Sequence, residues 1–369
     1  MNDLPISKKV IIAGGGTGGH IFPAIAIAHA LSRLSPGIEI LFVGATGKME
    51  MEKVPQAGYT IQGLDIAGFN RSSLIKNIAL PFKLVKSFIQ VRNIMSDFLP
   101  DAVVGVGGYS SYPVLRYAQS KGIPTFIHES NSFAGKSNTF LGKKAIKVFV
   151  ANAGMEKFFP KEKIVITGNP VRASIAASRV TRDAGIRFFG LDAGCKTVLS
   201  IGGSLGALSI NESIAGSIDA FAGNGLQLIW QTGKTYINQA REIAEGKKNI
   251  WVGDFITDMH YALAAADVVI SRAGAMAIAE LCVMAKPVVF VPYPFAAEDH
   301  QTVNAQTLVT GNAGMMIADY EVKEKLVPAI IALAKDEDLQ KVLIDNIHKM
   351  SFTDADTRLA EEILLSINV

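Results

Sequence analysis

Several polar residues fall where a β-branched run gives way to a glycine-rich turn or a helix, among them His20, Tyr109, His128 and Glu129. A histidine or carboxylate at such a place can take a proton from a substrate hydroxyl, because a general base works best with a proton affinity near that of the medium. The ordinary alternatives are a hydrogen-bonded structural histidine and a glutamate capping a helix. Their joint occurrence at strand ends favours the chemical reading, and the residues leave both His20 and Glu129 as candidates for the base. Two glycine turns accompany them, Gly14-Gly15-Gly16-Thr17-Gly18-Gly19 and Gly202-Gly203-Ser204-Leu205-Gly206. A turn of this kind presents backbone N–H groups and the positive end of a helix dipole, so phosphate is the ligand it suits. One such turn alone is as often a tight connection that needs positive φ. Two at equivalent places favour binding.

Other chemistries fit less well. Gly14, Gly16 and Gly19 satisfy the spacing of a dinucleotide fingerprint, but the second strand ends in Phe42-Val43-Gly44-Ala45-Thr46, without the acidic residue a nicotinamide ribose requires. Gly135-Lys136-Ser137 and Gly233-Lys234-Thr235 imitate a P-loop, yet the earlier glycine is replaced by Ser130 and Leu228. The two cysteines, Cys195 and Cys282, have no ligand-spaced partner, which argues against a disulfide framework or a thiolate zinc site and fits a reducing cytoplasm. Asp336-Glu337-Asp338 and Asp354-Ala355-Asp356 sit in acidic helical surroundings, so no metal and no cofactor are expected. In the second half, Ser271 to Glu280 and Glu298 to Ala305 each follow a strand and enter a helix. Glu280 falls in the apolar helix predicted over 275–284, where a carboxylate is costly without a donor partner. A ribose hydroxyl or a nearby lysine would meet that need.

The elements that must position these groups are legible from the periodicity. Strands are expected at Lys9–Ala13, Ile40–Val43, Ala102–Val106, Thr125–Ile127 and Val148–Val150, and the same grammar restarts with Thr197–Ile201, Leu226–Trp230, Val268–Ile270 and Val288–Val291. Short apolar strands alternating with helices imply α/β architecture with parallel sheets. At 369 residues, 49% hydrophobic and 19% charged, the chain exceeds what one core usually serves. Two Rossmann-like domains facing a cleft are expected, 1–171 and 172–351, followed by a C-terminal helix, 352–369. Residues 152–195 read as irregular, with a hinge near Val171. No apolar stretch reaches the roughly 18 residues a spanning helix needs.

Charge is uneven. Residues 1–171 carry 19 Lys/Arg against 10 Asp/Glu, and the remainder 17 against 23. A net +9 on the first part suggests an anionic surface or ligand there. Residues 71–92 place Ile75, Ile78, Phe82, Val85 and Ile89 at helical spacing among Arg71, Lys76, Lys83, Lys86 and Arg92, with Pro81 expected to divide the segment into two short helices. Such a stripe ordinarily faces a core, but beside basic residues it also suits anionic lipid headgroups. No nucleic-acid partner is expected.

Several motifs occur in one order: Gly15-Gly16-Thr17-Gly18-Gly19-His20, Gly107-Gly108-Tyr109-Ser110-Ser111-Tyr112-Pro113, His128-Glu129-Ser130-Asn131, Gly168-Asn169-Pro170-Val171-Arg172, Gly202-Gly203-Ser204 and Phe255-Ile256-Thr257-Asp258-Met259. In this the chain resembles the MurG-type transferases over nearly its whole length. That resemblance implies the GT-B fold, with the C-terminal helix 352–369 packing back on the first domain, and inverting transfer of N-acetylglucosamine from UDP-GlcNAc to undecaprenyl-pyrophosphoryl-MurNAc-pentapeptide, at the cytoplasmic side of the bacterial plasma membrane. It implies donor contacts from Thr17, Gly18, Gly19, Asn131, Arg172, Ser204, Ile256, Ala275, Met276, Glu280 and Gln301, with Ile256 near uracil and Glu280 near the ribose. It places Gly16, Gly108, Ser110 and Asn138 on the acceptor side, and His20, Glu129 and Tyr109 at the reaction. Ser130, Leu205, Ala273 and Ala277 depart from the family's commoner Gln, Gln, Ser and Thr, so side-chain contacts are not expected from them. Competing readings are another GT-B enzyme, such as a UDP-GlcNAc 2-epimerase or a transferase with a soluble acceptor, and a non-catalytic UDP-sugar sensor.

Overall fold

The computed structural model describes residues 8–68, 80–203 and 205–367. It divides into two compact units, residues 1–172 with 354–369, and residues 173–353. The first is built on seven strands: β1 Lys9–Ala13, β2 Glu39–Ala45, β3 Thr60–Leu64, β4 Ala102–Gly105, β5 Thr125–Glu129, β6 Lys147–Val150 and β7 Ile164–Ile166. They are all parallel, in the order β3-β2-β1-β4-β5-β6-β7. The second unit repeats the plan with β8 Lys196–Ile201, β9 Leu226–Gln231, β10 Ile250–Gly253, β11 Val268–Ser271, β12 Val288–Phe290 and β13 Met315–Met316. Its order is β10-β9-β8-β11-β12-β13, again parallel. In both sheets the order reverses beside the first strand, at β1/β4 and at β8/β11. Loops leaving adjacent strands in opposite directions open a crevice at that point, which is where ligands of open α/β sheets bind.

The central strands are buried on both faces, as near-continuous runs such as Val10-Ile11-Ile12-Ala13 and Val268-Val269-Ile270 require. In the first unit the helix Ala355–Ile367 returns to the sheet, where Leu359, Ala360 and Ile363 join Val10, Ile27, Leu31 and Phe149 in one core layer. The stretch 152–195 is more ordered than its composition suggests. It contains β7 and the short helices Ala173–Ala176 and Arg182–Phe188, the latter capped by Thr181 Oγ1, which accepts from Ala184 N–H at 3.3 Å.

Of the two helices expected on either side of Pro81, the first falls on residues 71–80, nearly all outside the described residues, and the second is longer than expected. Pro81 is the second of the 19 described residues of the helix Leu80–Phe98. Arg71, Ile75, Lys76 and Ile78 lie outside the described residues. That helix buries Ser87, Val91, Ile94 and Met95, and turns out Phe82, Val85 and Ile89, which are 78%, 63% and 59% exposed. No described helix is long and apolar enough to cross a membrane.

Candidate functional site

Two glycine turns meet at the β1/β4 crevice. Gly15 N–H donates to the Gly107 carbonyl at 3.4 Å, and Val106 N–H to that of Ala13 at 3.0 Å. The contact is too close for side chains: a Cβ on Gly108, at φ +82°, would lie 2.5 Å from the Gly15 oxygen. Glycine is therefore required for the two turns to touch. Behind them lies Glu50, which is only 1% exposed. Its carboxylate accepts from Ala45 N–H at 3.0 Å and Gly16 N–H at 2.9 Å, tying the end of β2 to the turn after β1. Nothing in Met49-Glu50-Met51-Glu52 separates Glu50 from its exposed neighbour Glu52. The only trace is the absence of side chains at Gly15 and Gly44, which makes its space.

The Gly16 amide, an acceptor-side candidate, is thus already used. Thr17, Gly18 and Gly19 begin the helix Gly18–Leu34, and no hydrogen bond to their N–H groups is formed among the described residues, as the first turn of a helix dictates. Three residues on, His20 Nδ1 lies 3.1 Å from the Gly15 carbonyl, with Thr17 Oγ1 at 3.4 Å. A carbonyl only accepts, so Nδ1 carries the proton of the neutral ring and Nε2 keeps the lone pair. Tyr109 lies against the same turn, its ring 3.8 Å from where a Gly16 Cβ would be. Burial, and then the negative charge of Glu50, push its phenol above the ordinary value, so it is a neutral donor at neutral pH. Ser110 is buried at the start of the helix Ser111–Ser120.

Glu129, at the end of β5, is 4% exposed and fully engaged. Oε1 accepts from Asn131 N–H at 3.1 Å and Asn131 Nδ2 at 3.3 Å, and Oε2 from Gly135 N–H at 3.1 Å and Asn138 Nδ2 at 2.9 Å. A carboxylate has about four lone-pair sites. Four donors fill them, so Glu129 holds the 129–138 loop together. Asn138 is buried with it, facing Glu129 and not the outside. His128, one residue earlier, is fully buried, and burial followed by repulsion from His20 lowers its pKa to about 4. Its ring nitrogens make no well-formed hydrogen bond, although Asn169 and the Gly168 backbone lie near enough to favour the charged form slightly. Arg172 lies with its guanidinium 5.3 Å from the centre of the Phe22 ring, which sets it beside the same first helix.

In the second unit the turn after β8 closes through Gly206 N–H to the Gly203 carbonyl at 3.0 Å. It packs on the turn after β9 so tightly that a Cβ on Gly206 would lie 2.1 Å from the Thr232 oxygen. Ser204 lies outside the described residues. After β11, Arg272 donates to Asp319 Oδ1 at 2.5 Å, to the Val291 and Pro292 carbonyls at 3.1 and 3.0 Å, and to Ser209 Oγ at 3.1 Å, locking three strand-end loops together. Ala275 and Met276 open the helix Ala275–Val283. Glu280 lies on that helix but is half-buried, so the burial penalty there is smaller than the apolar sequence implies. The Ile256 side chain is in the core, so what it offers a ligand is its peptide group. Gln301 Oε1 accepts from Tyr293 N–H at 3.0 Å, leaving the amide NH2 as a donor. Just before it, Glu298 and Asp299 have φ of +53° and +51°, and left-handed backbone in two successive non-glycine residues costs about 1–3 kcal/mol each.

Comparison with known proteins identifies the family. The glycosyltransferase family 28 N-terminal domain matches residues 10–150, and the family's C-terminal domain matches residues 197–359. The UDP-N-acetylglucosamine–N-acetylmuramyl-(pentapeptide) pyrophosphoryl-undecaprenol N-acetylglucosamine transferase of Phocaeicola vulgatus is 51% identical over 96% of this chain and 95% of its own length. The transferase of the same name from Parabacteroides distasonis is 48% identical over 98% of each. Among solved structures, MurG from Acinetobacter baumannii superimposes with a TM-score of 0.77 at 28% identity, covering 97% of this chain and 99% of that one. With both domain families matched in order and half of the residues shared with a full-length relative, the chain belongs to glycosyltransferase family 28, among its MurG-type N-acetylglucosaminyltransferases.

Proposed function

We propose that the protein transfers N-acetylglucosamine from UDP-GlcNAc to undecaprenyl-pyrophosphoryl-MurNAc-pentapeptide, with inversion, and that His20 is the general base. The observation that carries the base assignment is the commitment of Nδ1 to the Gly15 carbonyl, which leaves Nε2 able to take the acceptor's hydroxyl proton. As that proton leaves, the hydroxyl oxygen attacks the anomeric carbon. The bond from that carbon to the β-phosphate oxygen breaks, and the electron pair leaves on UDP. Glu129 does not compete, because accepting a proton would break hydrogen bonds its loop depends on. Asn138 acts with it, as a part of the loop.

The first unit suits the acceptor. The open N–H groups of Thr17, Gly18 and Gly19, with Arg172 nearby, suit a diphosphate, and Gly108, Tyr109 and Ser110 line the adjoining turn. The second unit suits the donor. The turn containing Ser204 takes the UDP diphosphate, the Ile256 peptide group the uracil edge, Glu280 the ribose hydroxyls, and Ala275, Met276 and Gln301 the neighbouring sugar and phosphate. The enzyme works peripherally at the cytoplasmic face of an anionic membrane, to which Phe82, Val85 and Ile89 present an apolar face. Lys83 and Lys86 flank that face and also pair with Asp65, at 3.4 and 2.7 Å, which lowers the Asp65 pKa.

Release of UDP with and without lipid-linked acceptor tests the reading. Acceptor-dependent release is expected. Conversion of UDP-GlcNAc without acceptor would indicate an epimerase, and binding without turnover a sensor.

A further inference from the structure

The Gly15–Gly16 peptide group is held at both ends. Its N–H donates to Glu50 Oε2 at 2.9 Å, and its carbonyl accepts from His20 Nδ1 at 3.1 Å. An amide is one conjugated dipole, so a carboxylate on the N–H pulls positive charge toward it and leaves the carbonyl oxygen a stronger acceptor. We propose that Glu50 is a positioning residue for the reaction: acting through this single peptide group, it fixes His20 as its Nδ1–H tautomer and raises the basicity of Nε2.

The place is built for a carboxylate. A Cβ on Gly15 would lie 2.3 Å from Glu50 Oε1, and one on Gly44 would lie 2.5 Å from Glu50 Cγ, so both neighbours must be glycine for the side chain to reach the peptide. Burying a charge at this depth is costly without partners, and two backbone N–H groups supply them. The same end is served by the aspartate of a hydrolase triad, which bonds the histidine directly; here a peptide lies between. The other groups about His20 do not substitute for Glu50. His128 stays neutral down to about pH 4 and so lends no charge to the His20 imidazolium, and Tyr109 is a neutral phenol whose proton Glu50 itself helps retain. Arg172 lies over Phe22 on the helix that carries His20, and its charge disfavours the imidazolium that Glu50 favours.

The inference rests on His20 as the base, and its test separates the two. Ring-nitrogen NMR of the wild-type chain should show neutral His20 as the Nδ1–H tautomer; an Nε2–H ring overturns the proposal without any variant. In Glu50→Gln the His20 pKa should fall by about one unit, because an opposite charge has been removed. The acid limb of the kcat/KM profile should move to lower pH with it. kcat should fall about 10- to 100-fold with KM for both substrates little changed, the range found for outer-shell groups that orient metal-bound histidines and less than for a triad aspartate that bonds its histidine directly. Glu50→Asp, which keeps the charge on a shorter stem, should restore the His20 pKa in part. A folded Glu50→Gln chain whose His20 titrates as in the wild type refutes the coupling, whatever its turnover. Full turnover by His20→Ala would instead refute the base assignment and leave the NMR result standing.

Discussion

Replacing His20 by alanine removes the nitrogen that receives the acceptor proton, together with the contacts to the Gly15 carbonyl and Thr17. Turnover should fall about 10²- to 10⁴-fold, the usual contribution of a general base, with UDP affinity unchanged by calorimetry. Glu129→Gln should act differently. It places an NH2 among donors, losing charge-assisted bonds of about 1.5–3 kcal/mol each, so the melting temperature should drop along with activity. Equal melting points for the two variants would contradict this division of labour. His128 makes a pH prediction. Its folded pKa is depressed from 6.5 to about 4, so below pH 6.5 the unfolded chain binds a proton that the folded one refuses. Stability supplied by the neutral ring is complete above pH 6.5 and is lost as pH falls toward 4, on the order of 3 kcal/mol in all. Denaturant midpoints across that range should fall less steeply in His128→Gln than in the wild type. His20 and Glu129 were both visible in the sequence as polar groups at strand ends, but their roles were not, because a lone pair's availability depends on donors that only the folded loop assembles. Glu50 was invisible, since nothing in its local pattern marks it as buried.

The strands that sequence periodicity missed, β3, β7, β10 and β13, are the edges of the two sheets. An edge strand packs less completely than a central one, so Thr60-Ile61-Gln62-Gly63-Leu64 carries polar residues that dilute the apolar signal. Central strands such as Thr125–Glu129 are buried throughout and announce themselves. The helix Leu80–Phe98 teaches the same lesson in reverse. Its apolar residues cover two faces, and periodicity alone did not say which would be buried. Val91, Ile94 and Met95 are; Phe82, Val85 and Ile89 are not. Changing those three to serine should reduce sedimentation with anionic vesicles about tenfold or more, since each apolar side chain contributes about 1.5–3 kcal/mol on burial. Transfer to a short-chain soluble acceptor should be unaffected. Equal vesicle binding would remove this helix from the membrane-facing surface.

Across the chain, the paired plan was the most legible feature, because each half opens with the same strand, glycine turn and helix. The strand orders explain why: both sheets reverse beside their first strand, and a glycine turn lies at each reversal. Charge followed the same division, +9 in residues 1–171 and −6 beyond, which suits the acceptor side and the anionic surface proposed for the first unit. The return of the helix Ala355–Ile367 to the first unit brings residues distant in sequence into one core layer, a connection no local pattern encodes. The most direct measurement is mass analysis of the lipid recovered after the purified chain meets UDP-GlcNAc and undecaprenyl-pyrophosphoryl-MurNAc-pentapeptide. Addition of one N-acetylhexosamine to the lipid, with stoichiometric UDP, is the predicted result. An unmodified lipid beside intact or epimerised UDP-sugar would contradict it.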